Sequence, residues 1–339
     1  MIKNPIHTLL AVLVLLSSFS CTQQEQPNGA VTISLSSGLP ETRGPAEVRD
    51  GSEIFLDGDG KPDLVLLIFK GNDLYAKYPS TKATVIGDEP DPKDLQIKFS
   101  NIEQGEYTVY ALANTAGLWG MSGDPTSASI TRDETEALYF TSLPTEPDPS
   151  SATSRMPLTA KSTLSVNAIG NGNLSMTLTR PVARVVFQFV NSSGHTLKLE
   201  PFNAALKKMN PDRGYLFQHT PDTPAGTNYG DLTYNKTSLD LAKDGVCEFV
   251  SLVYPGSESY LCDVSFSIAE VDGNALDGAS QHNFEYTDLK ICNNWGEDIT
   301  SLARNQQLTI KVRVGVGLML SFSFEVGGWT KQTETVTFN

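Results

Sequence analysis

The feature that most constrains this chain is a succession of short segments in which apolar and polar residues alternate, each ended by glycine- or proline-rich punctuation. Val31, Ile33 and Leu35 alternate with Thr32, Ser34 and Ser36. Leu174, Met176 and Leu178 alternate with Ser175, Thr177 and Thr179. Ala183, Val185, Phe187 and Phe189 share one face, with Arg184 and Gln188 on the other. Leu308, Ile310, Val312 and Val314 alternate with Thr309, Lys311 and Arg313, and Leu318, Leu320, Phe322, Phe324 and Val326 alternate with Ser321, Ser323 and Glu325. A period of two puts successive side chains on opposite faces of an extended chain, the pattern of a half-buried strand. Leu64–Phe69 and Tyr107–Ala113 are instead continuously apolar and predict strands buried on both faces. Val246–Tyr254 and Tyr260–Ile268 read as two more strands joined by a hairpin turn at Pro255–Ser259, and Val336 and Phe338 give a last short alternation.

The 27 glycines and 19 prolines leave no long segment with helical periodicity. Asp133–Phe140 and Asn203–Met209 are the candidates for short helices. The expected fold is all-β: two tandem β-sandwich domains, transthyretin-like or Greek-key, with few short helices. Pro181 marks the expected boundary between an amino-terminal domain, 50–180, and a carboxy-terminal domain, 181–339. Pro144–Ser151 reads as a surface loop within the first.

The amino terminus carries a different signal. Lys3 precedes an apolar run, Leu9–Leu16, then Ser17, Ser18, Phe19 and Ser20. This is the layout of a secretory leader, and the run is shorter than the roughly 20 residues a membrane span needs. Cys21 directly after it reads as the acylated first residue of a bacterial lipoprotein, with residues 1–20 removed. An ordinary secretory leader with a chance cysteine is the alternative, and Ser18 stands where lipoprotein leaders usually carry leucine. Gln23–Gly29 is a polar tether. Arg43 and Arg49 lie in the polar stretch after the first strand and are candidate sites for a trypsin-like protease, the alternative being an uncleaved loop.

A net charge of −14 argues against nucleic acid or anionic lipid as a partner. Beyond Cys21 the chain has Cys247, Cys262 and Cys292, an odd number, and a hairpin centred on Ser257 would not pair the first two; free, buried thiols are expected. Asp57, Asp59 and Asp63 surround a glycine turn and form the one weak candidate for a metal loop. The spacing fails the EF-hand pattern, because Phe55 and Leu66 would fall on its first and last ligands. It is closer to the calcium loops of propeller repeats, but no second copy exists, and a polar turn leading into Leu64–Phe69 is the plainer reading. His195, His219 and His282 lack ligand spacing. No nucleophile elbow, P-loop or dinucleotide fingerprint is present. Neither an enzyme nor a cofactor is expected. Trp119, Trp295 and Trp329 could stack sugars, but single tryptophans more often anchor a core or an edge.

Taken in order, several pieces resemble the fimbrillins, the type V pilins of Gram-negative anaerobes. They are Cys21; the strand Val31–Ser36 with Arg43 after it; Glu53-Ile54 leading to Leu66-Leu67-Ile68-Phe69; and Gly105-Glu106-Tyr107-Thr108-Val109-Tyr110-Ala111. They continue with Arg184-Val185-Val186, Leu302-Ala303-Arg304-Asn305-Gln306-Gln307-Leu308, Val326-Gly327-Gly328-Trp329 and Val336-Thr337-Phe338. Leu308 departs from the aromatic residue frequent in the family.

The resemblance implies an outer-membrane lipoprotein precursor, anchored by the lipid on Cys21 and later displayed in a cell-surface fimbria. An Arg-specific protease would cut at Arg43 or Arg49 and remove segment 21–49, including the strand with Val31, Ile33 and Leu35. A strand from the next subunit would fill the vacated slot, giving a head-to-tail polymer. The candidate donors are Leu318, Leu320, Phe322 and Phe324, or Val336 and Phe338. Partners would be other fimbrial subunits, the protease and a host or bacterial surface ligand, and the role that of a structural or tip subunit supporting adhesion. The alternatives are a surface lipoprotein that binds glycans and an anchor subunit that keeps its lipid.

Overall fold

The structure, a computed structural model, describes residues 29–37, 62–86, 94–115, 120–144, 155–293 and 295–328. The amino-terminal elements are β1 (Ala30–Ser37), β2 (Leu64–Lys70), β3 (Asp73–Tyr78), β4 (Ala83–Val85), β5 (Asp94–Ser100), β6 (Gly105–Ala113), α1 (Arg132–Ala137), β7 (Tyr139–Phe140), β8 (Leu158–Val166) and β9 (Gly172–Leu178). One sheet has the order β4-β5-β1-β9 and the other β3-β2-β6-β8. Their inner faces share one core, in which Val31, Ile33, Ile97 and Phe99 meet Leu66, Ile68, Val109 and Ala111.

The continuous apolar runs have a direct cause. β2 and β6 bury their inner face in that core and their outer face in a second one. Val65, Leu67, Phe69, Tyr110 and Leu112 pack there against Leu138, Phe140, Val182, Phe217 and Tyr254. The Tyr110 and Phe217 rings meet edge-on at 4.9 Å between centroids. Helix α1 covers part of this layer. Its first turn is held by a capping box between Thr131 and Glu134, and Glu136 accepts from the Tyr110 hydroxyl and from Lys161 Nζ at 2.7 Å.

The remaining strands are β10 (Ala183–Asn191), β11 (Leu197–Pro211), β12 (Gly214–Tyr215), β13 (Tyr229–Lys236), β14 (Leu239–Leu241), β15 (Val246–Val253), β16 (Gly256–Ser257), β17 (Leu261–Val271), β18 (Asn274–Ala275), β19 (His282–Lys290), β20 (Ser301–Leu302), β21 (Gln306–Val314) and β22 (Leu320–Gly328). One sheet has the order β15-β10-β21-β22. In the other, β11 and β17 are central, flanked by β13, β14, β18 and β19. The core between them is aromatic: Phe189 meets Phe266 edge-on at 5.0 Å and Phe202 at 5.5 Å. This is the expected all-β architecture of two sandwiches.

The two sandwiches are stitched together beside the second core. The short strands β7 and β12 pair across the junction. Arg304 is half-buried as a residue, and its guanidinium is enclosed. That group donates to Thr159 Oγ1 at 3.0 Å, to the Leu216 carbonyl at 2.8 Å and to the Tyr215 carbonyl. Burial pulls its pKa down to about 10, so it remains charged at neutral pH.

Local expectations fail in five places. Asn203–Met209 is not a helix but part of β11, in which Phe202, Ala204 and Leu206 alternate inward. Helix-favouring Ala, Leu and Lys side chains are overridden by pairing with β13 and β17 on either side. The turn at 255–259 does not close a hairpin: β15 pairs with β10 and β17 with β11, so the chain crosses between sheets, with Tyr254 and Tyr260 buried. Cys247 and Cys262 therefore lie in opposite sheets; all three described cysteines are free, but only Cys262 is buried. The helix expected over Asp133–Phe140 stops at Ala137. The strand expected to start at Leu318 begins at Leu320, because Gly317 and Leu318 take positive φ in the preceding turn.

Candidate strand-exchange groove

β1 is an interior strand of its sheet, although it is the first of the described strands. It pairs antiparallel with β5, placing Ile33 opposite Ile97, and parallel with β9, placing Ile33 opposite Leu174. Val31, Ile33 and Leu35 are 0, 0 and 1% exposed, while Thr32, Ser34 and Ser36 are half-buried on the other face. Each aliphatic side chain buried this fully contributes about 1.5–3 kcal/mol. Without β1, the facing edges of β5 and β9 would lose their ladders and the core would open along a slot. β9 would remain tied to the opposite sheet by the reciprocal pair of bonds between Thr159 and Thr179, at 2.9 and 3.0 Å. Gly29 leads into β1 in contact with Gly170, a turn residue at φ +76°.

The candidate donor residues that are described belong to the other sandwich. Among the described strands β22 pairs with β21 alone, and Leu320, Phe322 and Phe324 are half-buried against the carboxy-terminal core. Leu318 packs there from the turn that precedes it. Cys21, Arg43, Arg49, Val336 and Phe338 lie outside the described residues, as do Asp57, Asp59, Trp119 and Trp329.

Asp63 is described, and its carboxylate is engaged. Oδ1 accepts from Thr115 N at 2.9 Å and from the Thr115 hydroxyl, fastening the approach to β2 onto the end of β6. Among the described residues no three His, Cys, Asp or Glu side chains gather as a metal site. Asp63→Ala is expected to cost about 1–3 kcal/mol through the lost bonds, equally in calcium and in chelator; a calcium-dependent rise in melting temperature that vanishes in the variant would contradict this. Trp295, expected as an anchor, is instead 87% exposed on a turn held by Asn293. It is the one aromatic among the exposed large hydrophobics described, so no paired aromatic platform for a sugar is formed there.

No family model matches the sequence, and no curated protein does. Solved structures do. A fimbrilin from Porphyromonas gingivalis superposes over 90% of this chain and 98% of its own, at 13% identity and a TM-score of 0.54. The chain has the fimbrillin fold. A candidate cell adhesion protein from Parabacteroides distasonis has the same arrangement, over 90% of this chain and 98% of its own, at 14% identity and a TM-score of 0.53. Within this fimbrillin fold, Arg304 went unassigned in the sequence because its partners are 145 and 89 residues away. Its place in the Leu302–Leu308 segment was the one signal available.

Proposed function

We propose that this protein is a non-enzymatic structural or tip subunit of a surface fimbria. It is exported as a lipoprotein through Cys21, cut at Arg43 or Arg49, and assembled by strand addition. The observation carrying this reading is the position of β1. The first of the described strands is an interior strand, paired on both edges, and the chain after it contains both arginines. A single cut there leaves β1 held by non-covalent contacts alone. A strand from a second copy can then compete for the same ladders and the same core. Because donor and acceptor lie on different parts of one chain, the contact is heterologous and propagates without closing.

Limited digestion of the purified precursor with an Arg-specific protease tests this. Cut wild-type protein is expected to form a ladder of oligomers on a gel, and the double variant Arg43→Ala, Arg49→Ala is expected to stay uncut and monomeric. A cut protein that remains monomeric would overturn strand addition.

A further inference from the structure

We propose that the turn between β21 and β22 is a lipid-inserting tip, and that its ligand is the surface of a neutral, zwitterionic bilayer other than the one that holds the amino terminus. The tip does not depend on strand addition; only the choice of bilayer rests on the lipid-anchor reading above.

Seven consecutive residues, Val314–Leu320, carry no polar side chain. Turns usually take polar residues, because they meet water. Leu318 and Leu320 root this turn by packing on the carboxy-terminal core. Val316 and Met319 do not: they are 80 and 75% exposed. A Cβ on Gly317 would meet nothing within 4 Å, so the apex is open. The turn is nonetheless held in shape. Gly315 N donates to the Met319 carbonyl at 2.7 Å, and Leu318 N donates to the Gly315 carbonyl at 3.1 Å. Val246, 57% exposed, stands at the same end of the sheet, since Val190 lies opposite both Val246 and Arg313. The other exposed large hydrophobics described, Ile86, Leu143, Ile169 and Trp295, stand on four separate segments and offer no matching apolar face on a second copy.

Two features favour lipid over a protein partner. Protein interfaces carry about one hydrogen bond per 100–200 Å², and the side chains of this turn have no strong donor or acceptor to give. Hydrocarbon asks for none. The second feature is charge. The chain as a whole carries −14, yet at this end exposed Arg313 and Lys243 stand against exposed Asp244, and Asp272 is engaged by His195 Nδ1 at 2.7 Å. This near-balance suits the paired phosphate and ammonium of zwitterionic headgroups, whereas an acidic chain is repelled by anionic lipid. Topology then distinguishes the bilayers. β9 runs toward the junction and β10 runs away from it. β1, parallel to β9, begins at the end of its sandwich remote from the junction, and β21, parallel to β10, finishes at the remote end of the other. The tether therefore enters at one remote end and the tip closes the other.

Brominated lipid tests this by contact quenching. Val316→Trp reports the apex, and Glu325→Trp, at an exposed position further along β22, is the reference. Both are read as emission beyond that of the chain's three native tryptophans. The full-length precursor is bound to plain phosphatidylcholine vesicles, and a second population containing brominated phosphatidylcholine is added. Quenching is expected at 316 and not at 325. Adding Met319→Asp to Val316→Trp is expected to raise the lipid concentration for half-quenching about tenfold or more. No quenching at 316, equal quenching at both positions, or quenching indifferent to Met319→Asp would overturn the tip. Quenching that requires phosphatidylglycerol would overturn the neutral surface. Quenching seen only when the brominated lipid is in the vesicles that hold the protein would overturn the second bilayer. Shielding of the indole at 316 by rising protein concentration without lipid would assign the turn to a second copy instead. Protein that does not stay on the plain vesicles would count against anchoring through Cys21, while the brominated vesicles would still read the tip.

Discussion

Ile33→Asp is expected to unfold the amino-terminal sandwich at room temperature in the uncut protein. Ile33 is fully buried at the middle of β1, between Ile97 and Leu174 on the neighbouring strands. Removing an isoleucine side chain from such a site costs about 2–5 kcal/mol. Placing an unpaired carboxylate there adds an effective penalty of several kcal/mol, or forces the group to protonate. Domains of this size are stable by about 5–15 kcal/mol, so the two terms together consume most or all of the margin. Urea titration followed by near-ultraviolet circular dichroism reads the effect. Ile33→Val should cost only about 0.5–1.5 kcal/mol, and Thr32→Asp, on the half-buried polar face, should stay closer to wild type than the aspartate at 33. An Ile33→Asp protein with the wild-type midpoint would mean that β1 does not occupy the groove.

The second large effect is expected at the junction. Arg304→Ala removes the donor shared by the Tyr215 and Leu216 carbonyls and Thr159 Oγ1, and leaves those acceptors enclosed. Hydrogen bonds to charged groups contribute about 1.5–3 kcal/mol each, and losing one partner of a buried set is the costly direction. A loss of about 3–5 kcal/mol is expected. Arg304→Lys should recover little of it, because one ammonium cannot span the acceptors that a planar guanidinium reaches. In calorimetry the wild type should melt in one transition, and Arg304→Ala should separate it into two as the sandwiches uncouple. A variant that melts like wild type would show that the apolar layer around Tyr110, Phe217 and Tyr254 holds the junction alone.

Much of the architecture was legible because strand burial writes itself into the chain with a period of two. Val31–Leu35, Leu174–Leu178 and Leu308–Val314 fall on β1, β9 and β21 with the expected faces inward. The doubly apolar runs announced a layer on each side of β2 and β6, without revealing what that layer was. The errors arose where distant partners decide. Asn203–Met209 has helix-favouring composition, and only its neighbours in the sheet make it a strand. The segment from Cys247 to Cys262 has a turn in the right place for a hairpin, and only the competing pairings with β10 and β11 send its two halves to opposite sheets. In the groove, the apolar side of β1 could be read directly. The contact of Gly29 with Gly170 could not, since a glycine beside a polar tether is indistinguishable from ordinary linker composition until the turn beneath it is seen.

The double pairing of β1 has a mechanical consequence. Hydrogen bonds run perpendicular to the strands in the antiparallel ladder with β5 and slanted in the parallel ladder with β9, and in both they cross between strands, so a pull along the axis of a strand flanked on both sides loads its bonds together in shear. An edge strand peeled sideways gives up its bonds one after another. Any strand seated between β5 and β9 is therefore strongest against tension directed along its own length, the load a thread-like assembly carries when flow drags on its far end.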